Sequence, residues 1–242
     1  MKISIRPAPH SNRCALDGRK SCDLYQNHQE KCAEKCTETM CCEMKHCWLI
    51  GEALEKELTR RGHTVYMADK KYRKSWPSSK ATESTRSAMK ELNAHDPDLH
   101  LAIHTNANNS TSVRGVQAMY PPKKYGERSE KSKRLCSAIA EAIGKIYDSR
   151  ISTREYSAIE TSSCLGAGCY LELGYGNTNV EDAKWVHEHP REIACAIADG
   201  MEAWWQQEGK LLPPPAAPSL EDRVAALEAW RKTMEDPRKE TL

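Results

Sequence analysis

The sequence has no apolar run approaching the roughly 20 residues a spanning helix needs, which excludes an ordinary transmembrane segment. Net charge is almost lacking as well. The 36 Lys and Arg against 34 Asp and Glu leave +2, so nothing suggests the clustered basic face of a nucleic-acid binder. Internal repeats are absent. The opening residues, Met1-Lys-Ile-Ser-Ile-Arg6, alternate like a strand and contain no apolar h-region. The expectation is therefore synthesis in a cytoplasm without a secretory signal, with any work outside the cell requiring another exit.

What is present suits one α/β domain and an additional segment: 242 residues, of which 39% are hydrophobic and 29% charged. The 11 cysteines are many for a cytoplasmic protein, and an odd number cannot all pair within the chain. They crowd between Cys14 and Cys47, and a reducing compartment disfavours disulfides there. His28, Cys32 and Cys36 would form one stripe on a helix, and with Cys22, Cys41 or Cys42 they offer a second, structural zinc site. Disulfides formed in an oxidising medium and unpaired thiols are the alternatives. The lack of any Cys-x-x-Cys pair favours these two over zinc.

Periodicity predicts a strand over 2–6, then a polar Cys-rich stretch over 11–39. A helix is predicted over 43–61, with Cys47, Ile50, Leu54 and Leu58 inward and Gly62 as its stop. Further strands are expected over 64–68, 98–104, 115–120 and 169–173, and helices over 79–94, 127–147 and 180–207, the last broken at Pro190. Strands alternating with helices predict a single α/β domain with a central mixed sheet flanked by helices. Residues 211–218 read as a stiff Pro-rich linker and 219–242 as a C-terminal segment with a short helix. That helix places Leu220, Val224, Leu227 and Met234 near heptad positions, so it serves either as an oligomerisation or docking element or as a surface helix on its own domain.

Three metal-capable residues stand at predicted element ends: His10 after the first strand, Glu43 opening the first helix and His104 closing the third strand. Open α/β sheets build sites at the carboxyl ends of strands, so these residues can converge despite their separation. Two His and one Glu with an open fourth position form a catalytic zinc set. A His at a strand end is also commonly a satisfied polar group, and His100 shares a face with His104 and competes with it as a ligand.

Several ordered motifs carry a resemblance. They are Asp96-Pro-Asp-Leu-His-Leu-Ala-Ile-His-Thr-Asn-Ala107, Arg114-Gly-Val, Tyr170-Leu-Glu-Leu-Gly-Tyr175 followed by Asn179-Val-Glu-Asp182, and Glu43 ahead of Gly62-His-Thr-Val. In content and order they resemble the type-3 N-acetylmuramoyl-L-alanine amidases, from residue 2 to about 206. The resemblance implies a zinc enzyme whose ligands are His10, Glu43 and His104 and whose catalytic residue is Glu172. Two departures stand out: Ala8-Pro9-His10 replaces the family's Gly-His, and the Cys-rich stretch lengthens the gap between His10 and Glu43. Asn179 reads as a helix N-cap, and Arg114 as a holder of either a substrate carboxylate or the sheet edge.

The implied substrate is peptidoglycan, cut at the amide between the muramoyl lactyl group and L-alanine, with a domain over 1–210 carrying the activity and the Cys-rich insertion at about 11–42. A phage or prophage endolysin, acting on the wall after release, is the expected setting. A mother-cell lysis amidase of a spore former, a zinc peptidase and a non-catalytic wall-binding module are the alternatives. No nucleic acid or membrane partner is expected, and self-association would run through the C-terminal helix. Removing residues 213–242 is expected to leave the remaining domain folded. Light scattering before and after truncation tests the oligomer, and one monomeric mass in both would dismiss it.

Overall fold

The computed structural model describes residues 1–9, 43–69 and 78–214. His10, the Cys-rich stretch and the segment 219–242 lie outside the described residues. A six-stranded sheet forms the centre, built from β1 (Lys2–Pro7), β2 (Thr64–Met67), β3 (Leu99–His104), β4 (Val116–Tyr120), β5 (Ile151–Glu155) and β6 (Ala167–Glu172). The order across it is β2-β1-β3-β6-β4-β5. All neighbours run parallel except β4 and β6, which are antiparallel, so the expected mixed sheet is present.

Helix α1 (Glu43–Arg60) carries the apolar stripe read from the sequence, and Cys47, Ile50, Leu54 and Leu58 are all fully buried. Gly62 stops it at φ +84, a left-handed conformation that glycine adopts without strain. Pro213 and Pro214, at the end of the described chain, lie against the same glycine. Helix α3 (Glu127–Ile143) ends four residues earlier than expected, at Gly144. The C-terminal helical stretch divides at Pro190 into α5 (Val180–Glu188) and α6 (Pro190–Gln207). Proline suits the first turn of α6, where its missing N–H has no partner to lose.

Two elements escaped the periodicity reading. β5 is an edge strand whose residues are half-buried or exposed, so it shows no alternation. Helix α4 (Ile159–Ser163) spans only five residues, too short to display a period. Helix α2 (Ser78–Asn93) matches its expected place.

The sheet has two unlike faces. Ile3, Ile5, Leu99, Leu101, Ile103, Cys169 and Leu171 point to one, where α1, α3 and α6 close the main core. A leucine buried this completely contributes about 1.5–3 kcal/mol by leaving water. Ser4, Arg6, His100, His104 and Tyr170 point to the other face, against α2 and α4. Polar side chains on that face are nevertheless sealed: Ser4 and His100 are fully buried and pair through Ser4 Oγ and His100 Nδ1, 2.9 Å apart.

Burial presses the His100 pKa down to about 3. Folded His100 therefore stays neutral while the unfolded chain takes up a proton below about 6.5. Stability present at neutral pH is lost as the pH falls from about 6.5 toward 3. Between pH 7 and pH 5 this residue alone is expected to remove about 2 kcal/mol. Urea unfolding of wild type and His100→Gln at both pH values measures it. The variant should lose correspondingly less on acidification, and equal losses would assign the acid sensitivity elsewhere.

Candidate active site at the carboxyl ends of β3 and β6

β3 and β6 pair in parallel with His104 opposite Glu172. Paired residues point to the same face, so the two side chains stand together at the strand ends, near the middle of the sheet. Helix α1 begins at this level. Its first residue, Glu43, brings Oε1 to 3.1 Å from His104 Nδ1, and both side chains are buried. The Thr105 backbone N–H donates to the same oxygen at 3.3 Å, and Asn177 Nδ2 donates to Glu43 Oε2 at 3.5 Å. Asn177 is itself held, donating to the Thr105 carbonyl at 3.1 Å and accepting from Thr105 Oγ1 at 3.1 Å. The chain leaving β1 is anchored beside them. The Ala8 N–H donates to the Ile103 carbonyl at 2.8 Å, and Trp48 Nε1 donates to the Ala8 carbonyl at 3.1 Å.

The imidazole of His104 is fixed on three sides. Tyr170 stacks on it, with ring centroids 4.3 Å apart at 15°. Glu43 lies at Nδ1, and Glu160 Oε1 of α4 lies 3.7 Å from Nε2. Burial alone would lower the His104 pKa, but the carboxylates of Glu160 and Glu43 outweigh it and hold it up at about 9. Glu160 receives Arg6 at 2.8 Å. Burial works to raise the Glu160 carboxyl, yet His104 and Arg6 keep it down at about 2.

Glu172 behaves in the opposite sense. Its Oε2 is sealed from solvent with no hydrogen-bond partner among the described residues. Burial, reinforced by the nearby Glu43 charge, pushes its carboxyl up to about 7 against the opposing pull of His104. A carboxyl poised near neutrality can both take and return a proton.

The sequence-predicted residues Glu43, His104 and Glu172 thus come together, while the predicted His10 lies outside the described residues. His100 does not join them. It sits four residues back along β3, about 13 Å away, and is engaged with Ser4. Among the described residues no group of three or more His, Cys, Asp or Glu has the geometry of a metal site. The described part supplies two donors, a nitrogen and an oxygen 3.1 Å apart. Such an edge fits two ligands each about 2.0–2.2 Å from one zinc ion. The negative field that keeps a proton on His104 would equally favour a cation, so the donors present fit a zinc ion. Cys47 offers no ligand thiolate, because burial and the charge of Glu43 push its thiol well up. Cys136, Cys164 and Cys169 are buried free thiols and Cys195 an exposed one.

Sequence reasoning missed Glu160, Arg6 and Asn177. None gave a local signal: Arg6 falls on the polar positions of an alternating strand, as Lys2 and Ser4 do. The Asn179 reading holds: its side chain accepts the Asp182 N–H at 3.0 Å and caps α5. Arg114 serves the scaffold, donating to Asp182 and Asp148 at 2.9 Å each. Asp182, fully buried, also accepts from Gly115 N at 3.1 Å, Tyr175 N at 2.8 Å and the Tyr147 hydroxyl at 2.7 Å. It thereby fixes the loop that delivers Asn177 to Glu43. Gly174 makes this possible, turning at φ +74 with its α-carbon against the Asp182 side chain.

The profile of the N-acetylmuramoyl-L-alanine amidase family matches residues 28–203. The fold is similar to that of the CwlD amidase from Clostridioides difficile, solved in complex with the GerS lipoprotein. The TM-score is 0.63 at 17% identity, covering 85% of this chain and 98% of that one. Ami1 of Mycobacterium smegmatis gives a TM-score of 0.63 at 16% identity, covering 86% and 97%. The catalytic domain of the CD27L endolysin targeting Clostridia Difficile gives 0.57 at 16%, covering 84% and 97%. At these identities the likeness speaks for the fold. No curated protein matches the sequence.

Asp182→Ala is expected to lower the unfolding free energy by about 3–5 kcal/mol, because it strands buried donors. Arg114→Ala should cost only about 1 kcal/mol, since the pair is partly solvated. Denaturant titration gives both values. A raised KM for Arg114→Ala at unchanged stability would instead assign this arginine to substrate.

Proposed function

The chain belongs to the N-acetylmuramoyl-L-alanine amidase family, whose profile spans most of its length, and from that premise we propose a zinc-dependent peptidoglycan amidase with Glu172 as its acid–base residue. The observation that carries this reading is the convergence of His104, Glu43 and Glu172 at one strand end, with Glu172 held near neutrality by burial. His104 and Glu43 would hold the zinc, with His10 as the third ligand. The matched span begins after His10, so that assignment rests on the sequence resemblance and on the anchoring of Ala8 beside β3.

When bound, the ion supplies a Lewis acid for the scissile carbonyl and makes water a better nucleophile at neutral pH. The residues do the rest. Asn177 and the Thr105 amide orient Glu43, and Tyr170 fixes the plane of His104. Water oxygen bonds to the lactyl carbonyl carbon, and Glu172 accepts its proton. The carbon–nitrogen bond then breaks as Glu172 passes that proton to the departing L-alanine nitrogen, leaving a lactyl carboxylic acid and an amine, and the acid's remaining proton passes to the amine to give carboxylate and ammonium.

The proposed setting is that of an endolysin, released from the cytoplasm to reach the wall, in keeping with the fold likeness to the CD27L catalytic domain. Cells expressing the protein internally should stay intact until the membrane is permeabilised. Lysis without permeabilisation would remove that setting and leave the mother-cell alternative.

Glu172→Gln is expected to retain fold and zinc while losing activity by about 10²–10⁴-fold, the usual contribution of one acid–base group. Wild type should carry about one zinc per chain, and His104→Ala and Glu43→Ala should each lose it. Digested wall should release N-terminal alanine without new reducing ends. Near wild-type clearance by Glu172→Gln would sink the assignment, and new reducing ends would mean a glycosidase. If His10→Ala keeps its zinc while His28→Ala does not, the third ligand is His28.

A further inference from the structure

Beneath the site lies a buried ion pair that the proposed chemistry does not use. Arg6, near the end of β1, is 1% exposed, and Glu160 on α4 is 6% exposed. Arg6 Nη1 donates to Glu160 Oε1 at 2.8 Å, and Arg6 Nη2 donates to Thr85 Oγ1 of α2 at 2.7 Å. The same Glu160 oxygen lies 3.7 Å from Nε2 of His104, whose Nδ1 is 3.1 Å from Glu43. The imidazole therefore stands between two carboxylates, one at each ring nitrogen, with Tyr170 stacked on its plane.

A buried ion pair is a poor device for stability alone. Removing two charges from water costs several kcal/mol each, and an apolar pair of similar volume often serves as well. The position of this one supplies its use. A histidine that binds a metal through one nitrogen commonly donates its other N–H to a carboxylate, which fixes tautomer and ring orientation. We propose that Glu160 is a positioning residue that accepts the Nε2–H of His104 and so directs the Nδ1 lone pair toward the Glu43 side. Arg6, steadied by Thr85, holds the Glu160 carboxylate in place. The inference deepens the reading of His104 as a ligand and rests on it.

The test uses the full chain and zinc alone, read by competition with a chromophoric chelator. Glu160→Gln removes the accepting charge but leaves Arg6 buried and unpaired. The double variant Arg6→Met/Glu160→Met removes both charges and is expected to stay folded. Zinc affinity should fall about 10–100-fold in the double variant. Nitrogen NMR of zinc-loaded wild type should show His104 protonated at Nε2 and coordinated through Nδ1. His104→Ala separates the two ideas. If it keeps zinc, the ligand reading itself fails. If it loses zinc while the double variant binds as wild type, Glu160 is only half of a structural pair and the positioning role is wrong. Coordination through Nε2 would overturn it even if the double variant failed to fold.

Discussion

The pairing of β3 with β6 places His104 against Glu172, and the site's chemistry depends on that register. Strands in a sheet are about 4.8 Å apart, so two in-register side chains on one face can act on the same small group of atoms. A slip of one residue in either strand would turn its own side chain to the apolar face and part the pair. Leu101, Ile103, Cys169 and Leu171 hold the register from that face, all fully buried. The antiparallel entry of β4 completes the edge. Gln117 stands opposite Glu172 and receives Asn106 at 3.2 Å, so amides border the site where β3 and β6 run out.

Concentrating carboxylates around one imidazole has an electrostatic cost. Like charges about 5 Å apart repel by roughly 3 kcal/mol at an effective dielectric constant of 20. Each carboxylate meets this differently. Glu160 is matched by Arg6 and His104. Glu43 collects the Thr105 amide, Asn177 and His104. Glu172 Oε2 has no such donor among the described residues, and the carboxyl shifts toward the neutral form instead. The polar face of the sheet is thus a graded environment, from a fully paired ion below to a carboxyl shifted toward its neutral form at the strand end.

Most of the sheet was legible because its strands alternate and its long helices carry apolar stripes. The candidates Glu43 and His104 were legible as polar residues at element ends, and Glu172 through the family resemblance of its motif. Glu160 was not. It sits on a helix of five residues whose neighbours Thr161, Ser162 and Ser163 give no pattern, and its value comes from Arg6 on a strand far away in sequence. Arg114 shows the same limit in reverse. Its charge suited a substrate carboxylate and the sheet edge equally, and only the folded chain reveals Asp182 and Asp148 as its partners. Pairings across long sequence separation leave no local signature, so they are read from the fold.

Glu43 and Glu172 are the same side chain put to different uses, and the difference lies in what supports each. Glu43 opens an 18-residue helix. The first turn of a helix favours negative charge through its unsatisfied N–H groups and aligned peptide dipoles. The backbone and amide donors around it act in the same direction, so it suits the role of a fixed anion. Glu172 ends a strand, where no dipole favours charge, and its Oε2 is sealed without a partner among the described residues. When two titratable groups share a site, environments that separate their proton affinities assign their roles. By that rule the helix end suits a permanent charge and the strand end a mobile proton, the roles proposed for Glu43 and Glu172.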